Sequence, residues 1–242
     1  STDRPDGTPI PWASISGLGA DITNPDLMYA VDDRFFNYSR IFHIDTSSVP
    51  ASLNREIYIT DPNGLIAALP IASLNSNSGT FDGDDRDDLV NSNNTVNLDP
   101  EGIAAATGGG FWIASEGRGT YDNTLIDPIK SRNRIFKTDA TGVITDIISL
   151  PDNINLIQRK FGFAGVAESG NKLYVPFERD WNNEITPRIG IFDLATRTWE
   201  FVFYTLDAPA SQNANSIVSL SGITALGGGK FLILERDDQG GA

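Results

Sequence analysis

Cysteine is absent from the 242-residue chain, and histidine and methionine occur once each. Without thiols there are no disulfides, no thiol nucleophile and no Cys-ligated zinc or iron–sulfur cluster. Basic residues are scarce: 18 Lys plus Arg against 32 Asp plus Glu give a net charge of −14. Nucleic acid and anionic membrane both require a basic face, so neither is expected as a partner. Excess carboxylate suits solubility and hard cations such as calcium, although an acidic solvated surface accounts for it equally well. No apolar run reaches the ~20 residues of a membrane span. The chain also lacks a Gly-x-Ser-x-Gly elbow, a His-Glu-x-x-His pair and a Gly-x-x-x-x-Gly-Lys loop. A Ser-His-Asp hydrolase is therefore not expected, and any hydrolysis should rest on carboxylates and a metal. His43, the single histidine, reads as an edge or surface imidazole rather than a general base.

What the sequence has instead is repetition. A small residue or Glu, then Gly, then an apolar residue opens each copy. An acid ends an apolar run 13 to 16 residues after that Gly. The copies are Ser16-Gly17-Leu18 with Met28 to Asp33, and Glu101-Gly102-Ile103 with Phe111 to Glu116. Then come Ala164-Gly165-Val166 with Leu173 to Glu178, and Ser221-Gly222-Ile223 with Phe231 to Glu235. Turn residues such as Asn24-Pro25-Asp26 and Gly108-Gly109-Gly110 separate the halves, which predicts two strands joined by a hairpin. In the first three copies an Arg-Ile-x-x-x-Asp segment follows, at Arg40 to Asp45, Arg134 to Asp139 and Arg188 to Asp193. Each leads through a turn into another β-rich run. These segments are expected to be structural, with Arg and Asp bracing adjacent units.

Four strands per unit, repeated, predict an all-β propeller with at least three and a half four-stranded blades. No segment reads as a convincing amphipathic helix, and residues 65–73 fit either a helical turn or an apolar strand. A single domain over 1–242 is expected, with an Asn/Ser/Asp-rich insertion loop at 74–97. The fourth unit stops after its second strand, so the expected parent is a larger ring of about six blades, needing roughly 350 residues. A self-closed four-bladed ring is the alternative. The first residue is Ser1, no apolar signal segment follows it, and the loops are rich in small polar residues. That pattern suggests a trimmed exported protein: secreted, periplasmic or at the cell surface.

The aligned acids Asp33, Glu116, Glu178 and Glu235 are the sharpest chemical feature, each with a basic neighbour: Arg34, Arg118, Arg179 and Arg236. Arranged radially, Asp33, Glu178 and Glu235 could hold calcium through oxygens, while Arg34, Arg179 and Arg236 grip a phosphate. A bound metal would polarise a phosphoryl oxygen and activate water. The competing reading is that each acid simply pairs with an Arg or caps backbone N–H groups. Asp99 and Glu101 break the repeat as two nearby carboxylates, suited to metal binding or acid–base work beside Glu116 and Arg118; a strand-entry turn is the alternative. Residues 82–88 resemble a calcium loop, but EF-hand spacing fails at Arg86 and Asp87. An irregular calcium site at Asp82 and Asp84, or a mobile acidic loop, remains.

Asp99 to Ala104 followed by Phe111 to Gly117 resembles the central motif of the "esterase-like activity of phytase" family. Ser16-Gly17-Leu18 with Ala30 to Arg34 is similar to that family's first blade, and Gly222-Ile223 with Phe231 to Asp237 to a late one. The likeness runs in order over residues 14–237. It implies a propeller and an exported phosphoester hydrolase, carboxylate- and metal-based, acting on a small phosphoester with calcium as the cofactor. Ala164 stands where the family commonly carries Glu. The acidic signature of the alkaline phytase propellers is not matched, so their calcium cage is not carried over. The rival reading is a non-catalytic extracellular module that binds a partner protein or assembles. A sugar- or lactone-processing propeller with a central metal is a third.

Overall fold

The computed structural model describes residues 4, 7–34, 37–71, 81–117, 131–155, 157–158, 160–181, 184–209 and 216–238. Its strands follow the repeat. The first sheet holds β1 (Ile15–Ala20), β2 (Leu27–Asp32), β3 (Arg40–Asp45) and β4 (Ser52–Tyr58). After a short helix α1 (Gly83–Asp87), the second holds β5 (Pro100–Ala105), β6 (Phe111–Ser115), β7 (Arg134–Thr138) and β8 (Ile144–Ser149). A helical turn α2 (Asp152–Asn155) leads to the third: β9 (Ala167–Ser169), β10 (Lys172–Pro176), β11 (Arg188–Asp193) and β12 (Thr198–Phe203). A hairpin of β13 (Val218–Gly227) and β14 (Lys230–Asp237) completes the described order. Three four-stranded antiparallel sheets and one two-stranded sheet thus give an all-β, propeller-like architecture that does not close into a ring. No helix among the described residues is long and apolar enough to cross a membrane.

The repeated glycine is what lets neighbouring sheets approach. A Cβ on Gly17 would lie 2.7 Å from the Gly102 Cα, and one on Gly102 only 2.4 Å from the Gly165 Cα. Gly165 faces Gly222 at 3.2 Å. The first strands of three sheets and the segment entering β9 are therefore stacked backbone to backbone at these glycines, which only glycine permits. Just before Gly17, Gly102 and Gly222 the ladder slips by one residue. Ile15 pairs with Asp32 but Gly17 with Val31; Pro100 pairs with Ser115 but Gly102 with Ala114; Leu220 pairs with Glu235 but Gly222 with Leu234. Ser16, Glu101 and Ser221 are the extra residues of these bulges, and bulges re-aim the side chains they carry.

Between the sheets lie two apolar layers. Alternation along β6 feeds both: Ile113 packs with Val31, Ile41 and Phe136 towards the first sheet, Trp112 and Ala114 with Leu173, Val175 and Phe177 towards the third. Each Val, Leu, Ile or Phe side chain among them, fully buried, contributes roughly 1.5–3 kcal/mol before entropy is counted.

The insertion differs from its expected form. Residues 74–80 lie outside the described residues, but the rest is built into the core: Phe81, Leu89 and Val96 are buried in the first layer. Asp82 is the N-cap of α1. Its carboxylate accepts the Asp85 N–H at 3.0 Å while Asp85 returns the bond to the Asp82 N–H, a capping box on α1. Asp84 sits in the first turn of that helix. Asp82→Ala should cost about 1 kcal/mol in urea denaturation, with no change in calcium response. Residues 65–69 take the helical-turn option, with the Ala68 N–H donating to the Gly64 carbonyl and Asp61 capping Leu65 and Ile66.

The Arg-Ile-x-x-x-Asp repeat divides its labour. Its Asp does not brace blades: Asp45, Asp139 and Asp193 each accept backbone N–H groups of the following turn. Its Arg enters the interior. Arg40 lies 3.5 Å from Asp32 and 2.8 Å from Glu56, and Arg188 pairs with Glu184. His43 is half-buried against the Tyr29 ring rather than at an edge, and burial holds its imidazole below the usual range.

Candidate active site

The end of each second strand and the entry to each first strand meet at one end of the stacked glycines. Here the N–H of Asp33 donates to the Ser14 carbonyl, that of Glu116 to Asp99, and that of Glu178 to Gly162. These three acids therefore hold one equivalent position in successive sheets. The bulge adds a fourth carboxylate in the second sheet alone, because Glu101 is its extra residue where the others carry Ser16 and Ser221. Asp33, Asp99 and Glu101 offer carboxylate oxygens that all lie within 4.8 Å of one another. Glu101 also lines a cavity of about 340 Å³ walled by the four first strands, Leu232 and Leu234.

Crowding of like charges sets the electrostatics. Burial, then Glu116, Asp99, Asp33 and Glu178, push the Glu101 carboxyl up to about 9. Burial also raises Glu116 to about 7, assisted by Asp99 and Glu178 and opposed by the Gly162 N–H, which donates to its Oε1 at 2.7 Å, and by Lys160. Glu178 is raised by burial, with Arg236 and Arg179 pulling the other way. Arg236 lies 3.3 Å and Arg179 3.8 Å from Glu178, and Arg34 lies 3.9 Å from Asp99. Arg179 also covers the Phe161 ring at 3.8 Å. The donor set suits a hard cation: oxygens only, converging, with Glu101 holding its proton at neutral pH unless positive charge reaches it.

Of the residues singled out in the sequence, Asp33, Asp99, Glu101, Glu116 and Glu178 come together, with Arg34, Arg179 and Arg236 around them. Glu235 does not. An extra residue at Leu226, where the ladder shifts between Ala225 and Gly227, lengthens the last hairpin by one. Counting thirteen residues from Gly222 therefore lands one position short. Glu235 points to the other face, where it accepts from the Tyr204 hydroxyl at 2.8 Å and the Asp207 N–H at 2.9 Å. Arg236 takes the position equivalent to Glu116 and Glu178. Arg118 lies outside the described residues, and Asp82 and Asp84 are not in the cluster.

The segment Lys160 to Phe163 was not legible in the repeat. Phe161 has a left-handed backbone (φ 67°), costing on the order of 1 kcal/mol, as held strain at functional sites does. The Arg179 N–H and the Trp181 indole both donate to its carbonyl, and this pins Gly162 against Glu116. No residue-type signal marks such a conformation at a Phe.

The fold and this site define an all-β, propeller-like domain with a carboxylate cluster at the mouth of its inner strands. The chain belongs to the phytase-like family, described as "Esterase-like activity of phytase", which matches residues 10–242. No curated protein sequence matches it significantly. Among solved structures it is similar to the GH74 enzyme of Niastella koreensis, at 13% identity and a TM-score of 0.31. That alignment covers 86% of this chain and 34% of the enzyme, so the chain spans about a third of its length.

Proposed function

We propose that the protein is an exported phosphoester hydrolase whose centre is the Asp33–Asp99–Glu101 cluster. The observation that carries this reading is the convergence of those oxygens within 4.8 Å, ringed by cations, in a family named for esterase-like activity. Asp33, Asp99 and Glu101 would hold calcium. When bound, the ion supplies Lewis-acid polarisation of a phosphoryl oxygen and a more acidic water. Arg34, Arg179 and Arg236 hold the remaining phosphoryl oxygens. Glu116, poised near 7, gives its proton to the leaving oxygen as the phosphorus–oxygen bond breaks and recovers one from the attacking water. The larger ring of about six blades belongs to the same proposal. Gly222 has open space where the other glycines meet the next strand, and Leu18, Leu232 and Leu234 stand exposed beside it.

Hydrolysis of p-nitrophenyl phosphate and phytate, with calcium and with chelator, tests the reading against a Glu101→Gln variant. Calcium-dependent turnover that disappears in the variant is expected. Absent turnover in a folded wild-type protein points to the second reading, a non-catalytic extracellular module that binds a partner protein or assembles. One observation favours that reading: Glu178 is already satisfied by two arginines.

A further inference from the structure

Arg134 breaks the pattern of its repeat. It is 3% exposed, as buried as Arg40 at 2%. Arg40 has two carboxylates: Asp32, at the end of β2, and Glu56, which faces Phe42 across the β3–β4 ladder. The second sheet replaces both. Ser115 is the register partner of Arg134, and Ile147 faces Phe136. Arg188 in the third sheet has Glu184. Among the described residues, Arg134 has no acid and no hydrogen bond, and its Nε is sealed from water without a partner. Its guanidinium lies 4.7 Å from the Phe81 ring centre, and Arg132 covers the same ring at 5.9 Å.

A buried, unpaired charge is among the costliest features a fold can carry. The ring face of Phe81 offsets part of that cost, but it leaves the hydrogen-bond donors of the fork unused. A planar fork of donors beside a second arginine is the arrangement that recognises an oxyanion bidentately. Burial and the Arg132 charge bring the Arg134 guanidinium down to about 9, so it remains a cation at neutral pH. The place is distinct from the carboxylate cluster: one strand outward from Glu116, on the side of the first apolar layer.

We propose that Arg134, with Arg132 across the Phe81 ring, is a binding site for a small oxyanion of the phosphate class. The anion supplies the counter-charge that Asp32 and Glu56 supply in the first sheet. The site does not depend on the hydrolase reading.

Thermal unfolding in chelator, with inorganic phosphate titrated against chloride at constant ionic strength, tests it. The wild-type midpoint should rise saturably with phosphate. In Arg134→Met the apparent affinity should fall roughly tenfold or more, as loss of a charge-assisted bidentate contact requires. Arg236→Gln should keep the response, which separates this site from the arginines of the cluster. Ser115→Asp supplies a carboxylate in the Asp32 geometry, so it should raise the phosphate-free midpoint and abolish the response. That second variant decides the matter if Arg134→Met does not fold. A wild-type protein indifferent to phosphate, or an unchanged response in Arg134→Met or Ser115→Asp, overturns the proposal. Substrate as the source of the anion is read by repeating the titration with p-nitrophenyl phosphate: a stronger effect than inorganic phosphate assigns the site to the ester, an equal one to the free ion.

Discussion

Gly102→Ala should destabilise the protein by roughly 3 kcal/mol or more, above the usual cost of one added methyl in a packed interior. The added Cβ would sit 2.4 Å from the Gly165 Cα and 2.9 Å from the Gly165 carbonyl carbon and the Val166 nitrogen. All three are backbone atoms of the segment that leads into β9, so no rotamer change relieves the clash; two sheets must move apart. Gly17→Ala meets one backbone atom at 2.7 Å and a Val31 methyl at 2.9 Å, and should cost somewhat less. Gly165→Ala needs only a few tenths of an ångström from Gly222 at 3.2 Å. Gly222→Ala finds nothing closer than the Leu234 Cβ at 4.0 Å, and should stay within about 0.5 kcal/mol of wild type. Urea denaturation of the four variants reads the order directly. Equal costs, or a harmless Gly102→Ala, would mean that the first strands do not stack on their glycines. In a longer chain with a further blade on Gly222, the cost of Gly222→Ala should climb to that of Gly102→Ala, which turns the same series into a test of the larger ring.

The glycines were legible because their purpose is steric and local in register: each copy needs one residue without a Cβ at the same place. Strand order followed from this, since hairpin-linked strands pair in sequence. The acids were legible only as far as the hairpins kept one length. The Leu226 bulge added a residue that composition does not announce, so Glu235 and Arg236 exchanged roles. Glu101 was visible as a carboxylate out of step with the repeat. Why it reaches the cluster was not visible, because the cause is a bulge rather than a residue type. Phe81 and Val96 were read as part of an acidic loop, since seven charged or glycine residues at 82–88 masked two apolar anchors on either side. The loop at Lys160 to Phe163 left no trace in the repeat, for its shape is imposed by hydrogen bonds from Arg179 and Trp181, nearly twenty residues on.

Glu101→Gln should remove a pH dependence as well as an activity. In the folded chain the Glu101 carboxyl holds its proton to about 9, and unfolded it ionises near 4.5. Between those values the unfolded state has released a proton that the folded state keeps. Stability is therefore complete below about 4.5 and declines as pH rises towards 9. Glu116 adds to the decline up to about 7. In chelator, wild-type protein should lose stability steadily from pH 5 to 9. The variant cannot ionise at position 101, so its profile should flatten above pH 7 and cross that of wild type at the alkaline end. Calcium binds the ionised carboxylates and displaces their protons, so its stabilising effect on wild type should grow with pH and be largely absent in the variant. If the same carboxylate also serves turnover, calcium-dependent hydrolysis should fall by roughly 10²–10⁴-fold in the variant. The two readouts separate the claims. A flattened profile without any wild-type turnover establishes the cation site and dismisses the hydrolase. A profile identical to wild type dismisses the buried, coupled cluster itself, because five converging carboxylates cannot share one mouth without holding protons or a cation.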